Sequence, residues 1–397
     1  MKAVVWHGIG DIRLDDVPDP GVQDPTDAVV RVTTSAICGT DLHMVRGTMP
    51  GMVEGTVLGH EAVGVVEAVG KGVRNLEPGR RVIVPSTIAC GSCSYCRAGY
   101  YAQCDNANPH GRRAGTAFFG GPEATGPIDG LQAEYARVPF ANIGLVPVPD
   151  SVSDDQAILL SDIFPTAWYG TELAEVSPGD TVAVFGAGPV GLFCVVSAYL
   201  RGAARVFCVD HRPARLSLAR SLHAETIDFS AEDPVATIVE LTRGTGVDRT
   251  IDAVGVDSER APDAGGSEAS EFDRELAELL NGQGAPGPTW VAGDGPSQAI
   301  RWAVDAVAKA GTVGVVGVYP QGMDAFPLGT AMNKNLTLKM GNCNHRGYIP
   351  ELLGMVATGR VDPSPILTRH CRFDGVLEAY EHFDHRDDEW TKVALTT

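Results

Sequence analysis

Residues 180–210 read DTVAVFGAGPVGLFCVVSAYLRGAARVFCVD, and their reading decides the architecture. Two short apolar runs, TVAVF and RVFCVD, are continuous rather than alternating, as in strands of a parallel sheet covered on both faces. Between them Gly186, Gly188 and Gly191 form G-x-G-x-x-G, directly after a strand and directly before a helix that Pro189 and Val190 open. The first glycine permits a tight turn, and the second lets the backbone approach a pyrophosphate. The third allows close helix–strand packing, and the helix N-terminus faces the negative charge. Asp210 ends the second strand 24 residues after Gly186. A carboxylate there accepts from the adenine ribose hydroxyls and repels a 2′-phosphate. The stretch predicts a dinucleotide-binding domain that takes NAD rather than NADP, a preference that His211, Arg212 and Arg215 weaken.

On the C-terminal side, further strands are expected at VDRTIDAVG, GTVGVVGVY and LTLKMGN. Residues 257–295 interrupt them with a Gly-, Pro- and Ser-rich insertion holding nine acidic and two basic residues. Its composition predicts a solvated insertion, with Phe272, Leu276, Leu279 and Leu280 spaced for a short docking helix. On the N-terminal side, SVSDDQAILLSDIFPTAWYGTELAEV predicts a helix with Ser153 as its N-cap. The first 150 residues instead suit short β-strands, among them AVVRVTTSAI, EAVGVVEAVG and RRVIV. At 397 residues the chain exceeds the usual limit of a single core, so two domains are expected.

The net charge of −19 excludes a nucleic-acid or anionic-membrane partner. No apolar run reaches the roughly 18–20 residues of a membrane span, and MKAVVWHGIGDIRL lacks a secretory apolar core. A cytoplasmic location is expected. Four of the nine cysteines, Cys90, Cys93, Cys96 and Cys104, follow C-x2-C-x2-C-x7-C. Disulfides are disfavoured in reducing cytoplasm. The bacterial ferredoxin pattern has three residues before its last cysteine and a proline after it, whereas this chain has seven and then Asp105. Four thiolates in one loop suit a tetrahedral structural zinc. Cys194, Cys208, Cys343 and Cys371 sit in apolar contexts and read as packing residues.

The chain resembles the zinc-containing medium-chain alcohol dehydrogenases over nearly its whole length. The matching stretches are CGTDLH, GHEAVGVVEAVG, the four-cysteine loop, GAGPVGL with Asp210, DAVG and GVVGVYP. The resemblance implies an α/β chain with a GroES-like β-barrel catalytic domain and a Rossmann doubly wound parallel sheet. The catalytic domain is expected at 1–165, with 340–397 returning to it, and the Rossmann domain at 166–339 with the insertion. Two zinc ions per chain are implied, and Cys38 and His60 match ligands of the catalytic one. Most relatives carry cysteine where this chain has Asp162. An aspartate there resembles the glutathione-independent formaldehyde dehydrogenase and aldehyde dismutase branch, as do GLQAEYARVPFAN and the insertion.

The implied reaction moves hydride between NAD and the carbon of a small alcohol or aldehyde hydrate. An aldehyde dismutase that retains its NAD and a non-catalytic NAD-binding protein are the alternatives. Thr40 and His43 match a proton relay, and Glu61 a group supporting the zinc. Thr166 matches a nicotinamide contact and Lys392 a phosphate contact. His345 and Arg346 suit either a phosphate contact or a plain surface loop. Residues 110–126 with Phe164 and Trp168 are expected to line the substrate pocket. A homodimer or homotetramer is implied.

Overall fold

β-Branched runs between turn residues produce the strands of the computed structural model, which describes every residue except Arg112, Arg113 and Asp263. The first two belong to the expected pocket lining and the third to the insertion, so those readings lie outside the described residues. In chain order the strands are β1 (Lys2–Gly8), β2 (Asp11–Asp16), β3 (Ala28–Ile37), β4 (Ala62–Val69), β5 (Arg81–Val84), β6 (Tyr135–Val138) and β7 (Val146–Pro147). There follow β8 (Thr181–Phe185), β9 (Arg205–Asp210), β10 (Glu225–Asp228), β11 (Val247–Asp252), β12 (Val307–Val315) and β13 (Thr337–Met340). The tail adds β14 (Arg369–Arg372) and β15 (Val393–Thr396).

The first compact unit comprises Met1–Pro165, Ala285–Trp290 and Asn342–Thr397. Its main sheet has the order β14-β15-β3-β4-β5-β7, with β6 also paired to β3. The length of β3 lets it pair antiparallel with β4, β6 and β15 at once. Val30, Val32, Val66, Val82 and Val138 pack one core with Phe119 and Leu131. A second core joins Val4, Ile37 and Leu42 to Tyr380 and Phe383 of the tail.

The second unit comprises Thr166–Gly284 and Val291–Gly341. Its parallel sheet runs β10-β9-β8-β11-β12-β13. Counted within the unit this is strand order 3-2-1-4-5-6, the doubly wound dinucleotide-binding arrangement. β8 and β9 are buried along almost their whole length, which is why their sequences do not alternate. The order reverses between β8 and β11, and the glycine turn leaves the carboxyl end of β8 at that switch point.

Two expectations need correction. The helix expected from Ser153 is broken in two, Asp154–Ile158 and Ile163–Leu173. Ser153 caps the first piece in a reciprocal capping box with Gln156. The turn between the pieces delivers Asp162 immediately before the second helix, where Pro165 in the first turn costs no hydrogen bond.

The insertion, in turn, is about half exposed and docks a helix, as its sequence predicts, but it is not wholly part of the dinucleotide domain. Its helix Gly266–Leu280 buries Phe272, which stabilises by about 1.5–3 kcal/mol. A helix of this length is marginal alone, so that burial holds it. Residues 285–290 cross into the first unit, because Trp290 needs an apolar site that this unit provides. Its ring lies 6.4 Å from Tyr380, edge to face, and its amide donates to Asp384 Oδ2 at 3.2 Å. Asp384 in turn pairs with buried Arg46 at 2.6 Å.

Candidate active site and metal centres

Cys90, Cys93, Cys96 and Cys104 bring four sulfurs within 4.8 Å of one another. Local backbone turns aim amides at them. Ser92 and Cys93 donate to Cys90 Sγ at 3.3 Å each, and Cys96 donates to Cys93 Sγ at 3.4 Å. Asn106 adds a side-chain bond to Cys90 Sγ at 3.2 Å. Burial pushes the Cys90 thiol up, but the Ser92 hydroxyl and the two amides outweigh it and bring it down to about 6. Cys96 and Cys104 lie deeper, and burial pushes them up. Four crowded thiolates need a cation, and the donor set is that of a closed zinc site.

A second cluster assembles from three distant segments of the first unit. Cys38 follows β3 and is the N-cap of the helix Gly39–Arg46, His60 precedes β4, and Asp162 precedes helix Ile163–Leu173. All three are buried, and with Glu61 they offer ligand atoms within 4.8 Å of one another. Asp162 Oδ2 is 3.5 Å from Cys38 Sγ and 3.5 Å from His60 Nε2. Tetrahedral ligands at about 2.0–2.3 Å from zinc lie about 3.3–3.8 Å apart, so the spacing fits.

The surrounding charges point the same way. Burial and the Asp162 charge push the Cys38 thiol up. Burial opposes ionisation of His60, yet Asp41 beside it and Cys38 raise it well above the ordinary histidine value. Burial would likewise raise Asp162, but hydrogen bonds from His345 and His60 hold it well below the usual carboxylate range. Buried acidic donors crowded around one imidazole call for a positive charge in their midst, which a metal cation would supply.

Asp41 and His345, which sequence reasoning did not place here, support these donors. Asp41 Oδ1 lies 3.1 Å from His60 Nδ1, while its Oδ2 accepts from the Cys38 amide at 3.0 Å and from Gln132 at 3.2 Å. Tyr380 donates to Gln132 at 2.7 Å and extends the network into the tail. His345 Nε2 donates to Asp162 Oδ1 at 2.8 Å, with Thr87 Oγ1 3.1 Å from its other nitrogen. This replaces the phosphate contact or surface loop considered for His345, which is buried. The spacing Cys38–Asp41 is a local capping-box signal. Nothing in the sequence near His345 signals its partner.

Lys392 also departs from expectation. Instead of facing a cofactor phosphate, it is completely buried, with its ammonium on the Glu61 carboxylate and on Ile37 O at 3.0 Å. A buried Glu61 without that cation would be costly. Burial still raises Glu61 to about 7, against the pull of Lys392. His43 is buried one turn beyond Thr40, with Nδ1 3.0 Å from Thr48 Oγ1. Phe118, from the expected pocket segment, presents its edge to His60 at 6.1 Å. Phe164 is buried, and Trp168 lies in the second unit beneath the Arg201 guanidinium at 4.2 Å.

In the second unit the glycines divide by role. Gly186 has φ +94°, and a Cβ on Gly191 would sit 1.8 Å from Gly186 O. A Cβ on Gly188 meets nothing within 4 Å, although Gly188 is the N-cap of helix Pro189–Leu200. That open backbone fits a phosphate cradle. Asp210 accepts from the amides of Ala187 at 2.7 Å, His211 at 2.7 Å and Arg212 at 2.9 Å. Burial would raise its carboxyl, but Arg215 and these amides hold it below the usual value. Thr166 is half-buried on helix Ile163–Leu173. Gly188→Ala is expected to fold normally and to lose at least about tenfold in dinucleotide affinity. Gly191→Ala is expected to lower the melting temperature. Calorimetry with NAD and thermal unfolding check the two outcomes.

Comparison with known proteins agrees with this geometry. Residues 24–150 match the alcohol dehydrogenase GroES-like domain, and residues 189–264 match the zinc-binding dehydrogenase domain. An uncharacterised zinc-type alcohol dehydrogenase-like protein of Bacillus subtilis is 37% identical over 399 residues, covering 100% of both chains. Glutathione-independent formaldehyde dehydrogenase of Pseudomonas aeruginosa is 37% identical over 398 residues, covering 96% of this chain and 94% of that one. Among solved structures, alcohol dehydrogenase TADH from Thermus sp. ATN1 aligns at TM-score 0.81 and 34% identity, over 100% of this chain and 99% of the other. Full-length similarity, the 3-2-1-4-5-6 sheet and the two buried donor clusters converge, and the chain belongs to the zinc-type medium-chain alcohol dehydrogenase family.

Proposed function

We propose that this chain oxidises an alcohol, or the hydrate of an aldehyde, with NAD as hydride acceptor and zinc at Cys38, His60 and Asp162. The observation that carries the reading is the buried meeting of those three donors from three distant segments. A zinc ion held there supplies Lewis acidity, lowering the pKa of a hydroxyl or polarising a carbonyl.

The chain's own residues set the conditions for that chemistry. Asp41 orients His60 through Nδ1 and leaves Nε2 toward the other donors. His345 occupies Oδ1 of Asp162 and leaves Oδ2 for the same purpose. Thr48 donates to the carbonyl of His43 at 3.4 Å, and an Nδ1–H tautomer of His43 then donates to Thr48. Nε2 is left as a proton acceptor. We assign Thr40 and His43 to carry the hydroxyl proton away, and Glu61, held by Lys392, to support the donor cluster.

Gly186, Gly188, Pro189, Val190 and Gly191 are assigned to the pyrophosphate, and Asp210 to the adenine ribose. Arg215 and Thr166 complete the cofactor contacts. A second zinc in the four-cysteine loop stiffens that loop. None of the nine cysteines is in a disulfide. No helix among the described residues is long and apolar enough to cross a membrane. Exposed Leu328, Met332 and Met340, at and just before edge strand β13, support an oligomer.

The test is an NAD-linked absorbance screen over alcohols and aldehydes, with metal counting on the same sample. Zinc-dependent NADH formation is expected. Aldehyde conversion to alcohol and acid without added cofactor would assign the dismutase reaction. Metal-loaded protein that turns over nothing and binds no NAD would overturn the proposal.

A further inference from the structure

We propose that Glu259 is a specificity-determining residue, which engages Arg212 and His211 and so denies a 2′-phosphate its cationic partner. The inference rests on the dinucleotide reading above and deepens it. Rossmann domains that take NADP use an arginine near the acidic residue that ends the second strand. Here the two residues after Asp210 are His211 and Arg212, so the chain carries the cations of an NADP site beside the carboxylate of an NAD site.

The structure resolves that conflict. Arg212 Nη2 lies 2.9 and 3.1 Å from the two carboxylate oxygens of Glu259, and His211 Nε2 lies 2.6 Å from Oε2. The His211 ring also packs on Phe229, with centroids 4.6 Å apart. Glu259 is itself held in place, because Gln298 donates to its carbonyl at 2.7 Å and accepts from the Ala261 amide at 2.7 Å. The backbone that carries Glu259 is therefore fixed, and its carboxylate meets two cationic side chains at once.

Two effects follow from this geometry. A 2′-phosphate must displace Glu259 to reach the guanidinium, and it meets a second negative group besides Asp210. An unphosphorylated ribose meets neither obstacle. Glu259 begins the insertion, 49 residues beyond Asp210 in sequence, so a segment with no counterpart in the glycine motif sets the cofactor preference.

The experiment measures binding of 5′-AMP and 2′,5′-ADP by calorimetry to the full-length protein and to Glu259→Gln, which keeps the side-chain shape and removes the charge. Wild type is expected to prefer 5′-AMP. Glu259→Gln is expected to move the affinity ratio at least about tenfold toward 2′,5′-ADP, and Arg212→Ala in that background to cancel the gain. The same shift is expected in the NAD-to-NADP affinity ratio. Wild-type binding of 5′-AMP with an unchanged ratio in Glu259→Gln overturns the proposal alone. Wild type that binds neither nucleotide overturns the dinucleotide reading and the proposal with it.

Discussion

Asp162→Ala is expected to carry one zinc per chain instead of two and to turn over alcohol at least about a thousandfold more slowly. Loss of Lewis-acid stabilisation amounts to several kcal/mol, and about 1.4 kcal/mol is a factor of ten in rate. The fold should survive, because the four-cysteine loop shares no ligand with this cluster and Asp41 still orients His60. His345 would lose the acceptor 2.8 Å away, and Cys38 and His60 would be left as a two-donor site. Asp162→Asn is the informative companion. It can keep an oxygen toward His345 but loses the negative charge, and it should bind metal more weakly than wild type and more strongly than alanine. The measurements are metal content by mass spectrometry, zinc competition with a chelator, and turnover. Two tightly held zinc ions in Asp162→Ala would refute the ligand assignment.

Lys392→Met should destabilise the first unit by about 3–5 kcal/mol, the cost of stranding one member of a buried ion pair. Lys392 and Glu61 have no exposed side-chain surface, and Glu61 Oε2 has no hydrogen-bond partner among the described residues. Removing the ammonium therefore leaves a buried carboxylate without its hydrogen-bonded counter-charge, to be stranded or to take up a proton at a cost. Methionine keeps most of the apolar stem packed, so the loss reports charge rather than a cavity. The double variant Glu61→Gln with Lys392→Met should recover much of the stability, since a neutral pair carries no stranded charge. Urea denaturation of wild type, Glu61→Gln, Lys392→Met and the double variant completes the cycle. If the single and double variants are equally unstable, packing and not the ion pair holds this position.

Much of the architecture was legible because its signals are local. The glycine turn between two buried strands depends on residues adjacent in sequence, and the four cysteines close one loop of fifteen residues. The β-branched runs of β3 and β4 lie where strand grammar puts them. The resemblance then singled out Cys38, His60 and Asp162. The supporting groups were less visible. His345 follows Asp162 by 183 residues, and Lys392 follows Glu61 by 331. Both had an alternative reading as phosphate contacts, since a cationic side chain does not declare which anion it will meet. The helical spacing of Phe272 in the insertion announced one docking point, whereas Trp290, a single aromatic residue among polar ones, gave no such signal.

By itself the sequence determined the elements whose partners lie within a turn or a βαβ unit: the glycine turn after β8, the acidic residue ending β9, and the four-cysteine loop. Only the tertiary structure decided which charges neutralise one another. It set His345 on Asp162, Lys392 on Glu61 and Glu259 on Arg212. Burial makes an unpaired charge expensive, so distant segments converge on whichever counter-charge the fold brings within reach, and that choice is not written in local spacing.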